Sequence, residues 1–197
     1  MFAPNLGRAT FDTRPVRLEI AGVRLVIPAN YIASVFRNAD GQVELASLQI
    51  FLFDMQGVTS ATAPCMRRGF GCTEYARVTI LRTPRGSARQ HLANQLHYSG
   101  DGIEQLPGPN GLEMIRPRRR APDGSGSFWL YAEQPGEDQL VFAYWKTLAG
   151  GRMNNCITSG NDIDGLPVRY ILSGHHRDQL LRIDAAIRVL LRGFIDR

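Results

Sequence analysis

The chain reads as an α+β protein, an antiparallel β-sheet with one mid-chain helix and a long C-terminal helix packed on one face. Three observations lead there. Residues 75–81 alternate, with Tyr75, Arg77, Thr79 and Leu81 opposite Ala76, Val78 and Ile80, which is the two-residue period of a strand. Residues 112–115, 127–132 and 140–145 are strand candidates whose separators, 117–126 and 134–138, carry proline, glycine and charge, the pattern of an antiparallel meander. From His176 to Phe194, the apolar Leu180, Ile183, Ala186, Ile187, Leu190, Leu191 and Phe194 recur at steps of three and four. Arg177, Asp178, Arg182, Asp184, Arg188 and Arg192 fill much of the remainder, so the helix has a stripe to lay on a sheet and a polar face for solvent.

In chain order, residues 1–14 hold no apolar core and are expected to be a disordered or trimmed extension. Residues 15–20 and 23–27, joined by Ala21-Gly22, predict an opening hairpin that Pro28 ends. After a turn at 38–41, residues 43–53 predict a strand buried on at least one face, with Leu48, Ile50 and Leu52 on one face and Phe51 and Phe53 on the other. Ser87 is placed to cap a helix running to about His97, with Leu92, Leu96 and Ala93 as its apolar side. Residues 100–111 are rich in glycine and proline and read as a connection; Ile157 and residues 168–172 add one or two strands, for six to eight in all. Ser173 is a usable cap for the last helix. With no internal repeat, residues 1–197 are expected to fold as a single domain.

The 197 residues are 44% hydrophobic and 21% charged, enough to build a core, and no apolar run approaches the ~20 residues that cross a bilayer. A net charge of +5 invites a nucleic-acid partner. Yet of the 23 Lys and Arg only Lys146 is a lysine, and Arg8, Arg24, Arg77, Arg152 and Arg188 are scattered along the chain. The one tight cluster, Arg116, Arg118, Arg119 and Arg120, stands beside Pro117 and Pro122 as a solvated loop or an anion-facing patch.

The segment Cys65-Met-Arg-Arg-Gly-Phe-Gly-Cys72 holds two arginines and a phenylalanine in a short loop. Joined thiols would close a ring of eight residues, remove about 2.5 kcal/mol of chain entropy from the unfolded state and hold Arg67, Arg68 and Phe70 outward. These residue types dominate binding hot spots. Two unpaired thiols on a surface loop, or a bridge from Cys156 to either, are the alternatives. A zinc site is not expected, because the spacing from Cys65 to Cys72 exceeds that of a zinc knuckle and no histidine pair completes four ligands.

Catalytic signatures are weak. Gly124-Ser125-Gly126-Ser127 lacks the pattern of a nucleophile elbow. His91 and His97 are six apart, so a helix turns them from a common face, and the adjacent His175-His176 diverge. Asn161-Asp162-Ile163-Asp164-Gly165 opens like a calcium loop without its later bidentate acid, and Gly100-Asp101-Gly102 lacks the glycine and helix of a dinucleotide site. Glu44, Asp54, Glu74, Glu104 and Glu113 share no spacing that singles out a pair for acid–base work. No cofactor or metal is expected. Phe128, Trp129, Tyr131, Phe142, Tyr144 and Trp145 alternate over two strands, mostly as core, and any row on the far face would suit a protein partner.

In the hairpin Gly22-Val-Arg-Leu-Val-Ile-Pro-Ala-Asn-Tyr31, the apolar run 48–56 ending Phe-Asp-Met-Gln, and Leu166-Pro-Val-Arg-Tyr170 before the closing helix, the chain resembles small uncharacterised proteobacterial envelope proteins of the toxin-immunity type. The resemblance implies a periplasmic or envelope-anchored domain whose work is to bind, its leader or anchor removed, and an oxidising compartment suits Cys65 and Cys72. The cytoplasm is the alternative location. The expected function is that of an immunity or inhibitor protein, not an enzyme, that occludes the active site of a secreted toxin through Arg67, Arg68 and Phe70, with Arg118, Arg119 and Arg120 as a second patch. A polyanion binder using that second patch is one alternative. A hydrolase or thiol enzyme is the other.

Overall fold

The computed structural model describes residues 10–67, 72–84, 86–119, 121–123, 125–133, 140–149, 153–158 and 161–196, with twelve strands and three α-helices among them. They form an α+β fold whose paired strands are mostly antiparallel. The chain groups into two compact units, the first comprising Met1–Pro84, Asp162–Val168 and Ala186–Arg197, the second Arg85–Asn161 and Arg169–Ala185.

The first unit opens with the expected hairpin, β1 (Pro15–Ile20) on β2 (Val23–Pro28), in register from Pro15↔Pro28 to Ile20↔Val23. Ala21 and Gly22 both take positive φ, 55° and 80°, as a two-residue turn between right-twisted strands demands. Leu18, Ile20, Leu25 and Ile27 point inward and are buried. The chain then makes a 3-10 turn at Ala29–Tyr31 and runs through β3 (Ile32–Arg37), β4 (Val43–Phe51) and β5 (Tyr75–Leu81), paired antiparallel in that order. Ala46, Leu48, Ile50, Ala76, Val78 and Ile80 are fully buried between them. β3 was not expected from the sequence. Pro28 looked like the end of a hairpin, whereas the 3-10 turn carries the chain straight into a strand whose outer residues, Phe36 and Arg37, face solvent.

The second unit is a meander in which β6 (Ile103–Pro107), β7 (Glu113–Pro117), β8 (Gly126–Glu133), β9 (Leu140–Thr147) and β10 (Met153–Thr158) pair antiparallel in sequence order. β10 pairs antiparallel with β12 (Leu166–Leu172), which also pairs with the short β11 (Asn161–Ile163) just before it in the chain. Phe128 stacks on Trp145, its register partner, with centroids 6.2 Å apart, and Leu130 and Ala143 are fully buried beside them. β6 corrects the expectation of a plain connection at 100–111. The flanking Gly102 and Gly108 and the terminal Pro107 disguise an edge strand in which Glu104 faces Arg116 and the two side chains pair.

Two helices match their sequence signals. α2 (Ala88–Ser99) begins at Ser87, whose hydroxyl accepts from the Gln90 N–H at 3.2 Å while Gln90 Oε1 accepts from the Ser87 N–H at 2.8 Å, a complete capping box. The last helix differs in two respects. It starts as a 3-10 turn at Gly174–Gln179 with no side-chain cap from Ser173, and becomes α-helical as α3 at Leu180–Phe194. Leu180, Ile183, Ile187, Leu191 and Phe194 are buried as the stripe requires, but so are Asp184 and Arg188, each 1% exposed. Tertiary partners explain this: Tyr170 donates its hydroxyl to Asp184 Oδ1 at 2.6 Å, and Arg188 Nη1 donates to the Asp162 carbonyl at 3.1 Å. Buried polar groups need hydrogen-bond partners, and each of these two side chains has at least one.

Candidate functional site

The connection from β4 to β5 builds its own small core. β4 stops at Phe51, whose N–H donates to the Gln56 carbonyl at 2.8 Å, and the chain turns through Leu52, Phe53 and Asp54. Thr59 and Thr62 then satisfy each other, Thr59 N–H donating to Thr62 Oγ1 at 2.8 Å, and Ala63 N–H donates back to the Thr59 carbonyl. That turn launches a single helical turn, α1 (Ala63–Arg67), where the sequence suggested loop. Alanine, methionine and arginine favour helix, and Pro64 is tolerated in a first turn, where its missing N–H costs no bond.

Cys65 and Cys72 are joined by a disulfide with Cα atoms 5.1 Å apart. The bridge lies against a cluster of Phe51, Val58, Ala63 and Cys72, each below 8% exposed, with Tyr75 packed on it and its ring 6.4 Å from that of Phe51. The connection is also fixed from behind. Tyr31 donates its hydroxyl to the Met55 carbonyl at 3.0 Å, and Val58 N–H donates to the Asn30 carbonyl at 2.8 Å. Burial, the leading influence, raises the Tyr31 phenol above its ordinary value, so it stays a donor at neutral pH. Among the predicted contact residues, Arg67 ends α1, while its side chain, Arg68 and Phe70 lie outside the described residues.

The second predicted patch is only partly available. Arg116 is paired with Glu104, and Arg118 Nε donates to the Ile103 carbonyl at 2.8 Å. Arg119 is exposed, with no partner among the described residues, and Arg120 lies outside them.

A third feature went unseen in the sequence. α2 rests on Leu140 and Phe142 through Ala88 and Leu92, with Trp129 and Tyr131 alongside, yet its outer half stands off. The result is an open groove of about 560 Å³ lined by Leu92, Ala93, Leu96, Leu140, Tyr131 and Glu113. Two leucines and two alanines among Arg89, Gln90, His91, Asn94, Gln95 and His97 make a stripe too narrow to be core on every turn, which was the available signal.

Cys156 is wholly buried and free, and burial holds its thiol well above the ordinary value, while Cys65 and Cys72 are bridged to each other. His91 stacks on Phe142 with centroids 6.3 Å apart. Among the described residues no group of three or more His, Cys, Asp or Glu is placed to hold a metal ion, and no helix is long and apolar enough to cross a membrane.

No family model and no curated protein matches the sequence. Solved structures do. The chain is similar to Smlt3025, an immunity protein of the Stenotrophomonas maltophilia type IV secretion system, at a TM-score of 0.65 and 17% identity over 97% of this chain and 98% of that one. It is also similar to FrpD, an iron-regulated outer membrane lipoprotein of Neisseria meningitidis, at a TM-score of 0.64 and 12% identity over 96% of this chain and 100% of the other. The toxin-immunity resemblance read from the sequence therefore has a structural counterpart, and the chain shares its fold, nearly end to end, with a secretion-system immunity protein and an outer membrane lipoprotein.

Proposed function

We propose that this protein is a non-enzymatic immunity or inhibitor protein that neutralises a secreted antibacterial toxin by occluding its active site. The observation that carries this is the end-to-end likeness of fold to an immunity protein. The bridged β4–β5 connection adds the means, a short ring closed over a packed base. In this proposal Arg67, Arg68 and Phe70 make the central contact. A guanidinium fork matches a catalytic carboxylate and a phenylalanine fills a substrate subsite. Arg118, Arg119 and Arg120 form a peripheral contact, secondary because Arg118 already holds the Ile103 carbonyl. The Arg116–Glu104 pair offsets one charge of that cluster and leaves less for a polyanion than the sequence suggested. A periplasmic or envelope-anchored location suits the bridge, since disulfides persist in oxidising compartments, and it suits the likeness to a lipoprotein.

The test is protection. Each secreted effector encoded beside this chain is expressed in a sensitive host with and without it, and one of them is expected to lose its toxicity and to bind the purified protein. Replacing Arg67, Arg68 and Phe70 together by alanine is expected to weaken that binding by more than about tenfold. Toxicity undiminished for every such effector, or turnover of a small substrate by the purified protein, overturns the proposal.

A further inference from the structure

The geometry points to a second contact on the same connection: we propose that Phe53 is an aromatic anchor that enters an apolar pocket of the partner protein, and that the rim of that pocket is cationic. This rests on the protein-binding proposal above and adds to it a residue and a partner chemistry. Phe53 is 98% exposed, more than any other large hydrophobic among the described residues. Strand alternation would have set it beside the buried Phe51, but the chain leaves the strand one residue after Phe51 and turns the ring outward.

The turn that carries Phe53 is held by several bonds. Leu52 N–H donates to the Glu74 carbonyl at 2.9 Å, Phe51 N–H to Gln56, Gln56 N–H to Asp54 Oδ1 at 3.1 Å, and the Met55 carbonyl takes the Tyr31 hydroxyl. Met55 sits at φ 56°, a conformation a non-glycine residue keeps only when its surroundings fix it. Gly57 closes the turn against Asn30 so tightly that a Cβ would stand 2.8 Å from that residue's backbone. A partner therefore meets an aromatic on backbone that is already ordered, and little entropy is lost on contact. The acids beside Phe53 set the charge expected at the rim of its own pocket. Asp54 follows Phe53 and is exposed, and Glu74, backbone-paired to Leu52, is exposed as well; the first exposed cation along β5 is Arg77, opposite Gln49. Two carboxylates beside an apolar tip favour a pocket ringed by lysine or arginine. They disfavour an anionic bilayer, whose interfacial anchors are flanked by basic residues.

Titration calorimetry and stopped-flow binding of the effector identified by the protection test, using the full chain and its Phe53→Ser and Glu74→Arg variants, decide the matter. Phe53→Ser is expected to weaken binding at least about tenfold while the melting temperature stays put. Glu74→Arg is expected to slow association at low salt, the deficit vanishing near 0.5 M salt, roughly where screening shrinks to a few ångströms. Should the unaltered chain bind none of the effectors, the binding proposal falls and takes this one with it. If it binds and Phe53→Ser binds within about twofold, only the anchor is overturned. Unchanged association of Glu74→Arg removes the cationic rim. Flotation of the protein with phosphatidylethanolamine–phosphatidylglycerol vesicles, lost in Phe53→Ser while effector binding is retained, would assign the ring to a membrane and overturn the pocket.

Discussion

Two excursions leave the strands of this protein, and they are ordered by different means. The β4–β5 connection gathers a core of its own from Phe51, Val58, Ala63 and Cys72 and is closed by a covalent bridge. α2 has neither. It is started by a capping box, it touches the meander through Ala88 and a half-exposed Leu92, and its outer half borders an open groove. The first excursion offers a fixed projection; the second offers a hollow. A projection that must meet another molecule gains from backbone order set before contact, whereas a helix laid on a sheet needs only local signals to stay in place.

The largest effect expected from this contrast is at Phe51. Its ring joins the sheet to the connection's own core, so Phe51→Ala is expected to cost about 3–5 kcal/mol in urea denaturation with the bridge intact. A cost below about 1 kcal/mol would mean that the small cluster is packing without consequence. Next is the bridge itself. Replacing Cys65 and Cys72 by serine is expected to lower stability by about 2.5 kcal/mol, the entropy of an eight-residue ring, and to raise hydrogen exchange in residues 52–67 ahead of residues 88–99. Equal loosening of both excursions would erase the distinction between them.

The elements whose local chemistry agrees with their final setting were legible in the sequence. The β1–β2 turn shows Gly22, at φ 80°, between two short apolar runs; Ser87 with Gln90 three residues on spells a capping box; Tyr75 to Leu81 alternates and is a strand over those bounds. What was hidden depends on partners distant in sequence. Asp184 and Arg188 resemble a solvent-facing pair one helical turn apart, and partners such as Tyr170 and the Asp162 carbonyl meet them in the interior. β3 and β6 are concealed by a half-exposed pattern and by glycine and proline at their ends. At the candidate site, the cysteine spacing marked the segment, but alternation put Phe53 on the strand face of Phe51, because period alone cannot tell where a strand stops.

Smaller effects are expected at α2, and they sharpen the comparison from its other side. Ser87→Ala removes a cap that satisfies one of the first free N–H groups and frees the Gln90 side chain, for an expected loss of about 1 kcal/mol by thermal or urea unfolding. The mildest substitution is at the groove wall. Arg89 reaches from α2 to Glu133 on β8 with two bonds, of 2.9 and 3.0 Å, and looks like a clamp. Both side chains are more than half exposed, so water screens the pair and the ordering of two long side chains offsets most of its attraction. A double-mutant cycle on Arg89→Ala and Glu133→Ala is therefore expected to give a coupling below about 0.5 kcal/mol that falls further with added salt. A coupling above about 1 kcal/mol would show that the helix is tied down at its edge as firmly as the bridged connection is at its base, and the groove would then be a fixed feature of the fold in the same sense as Phe53.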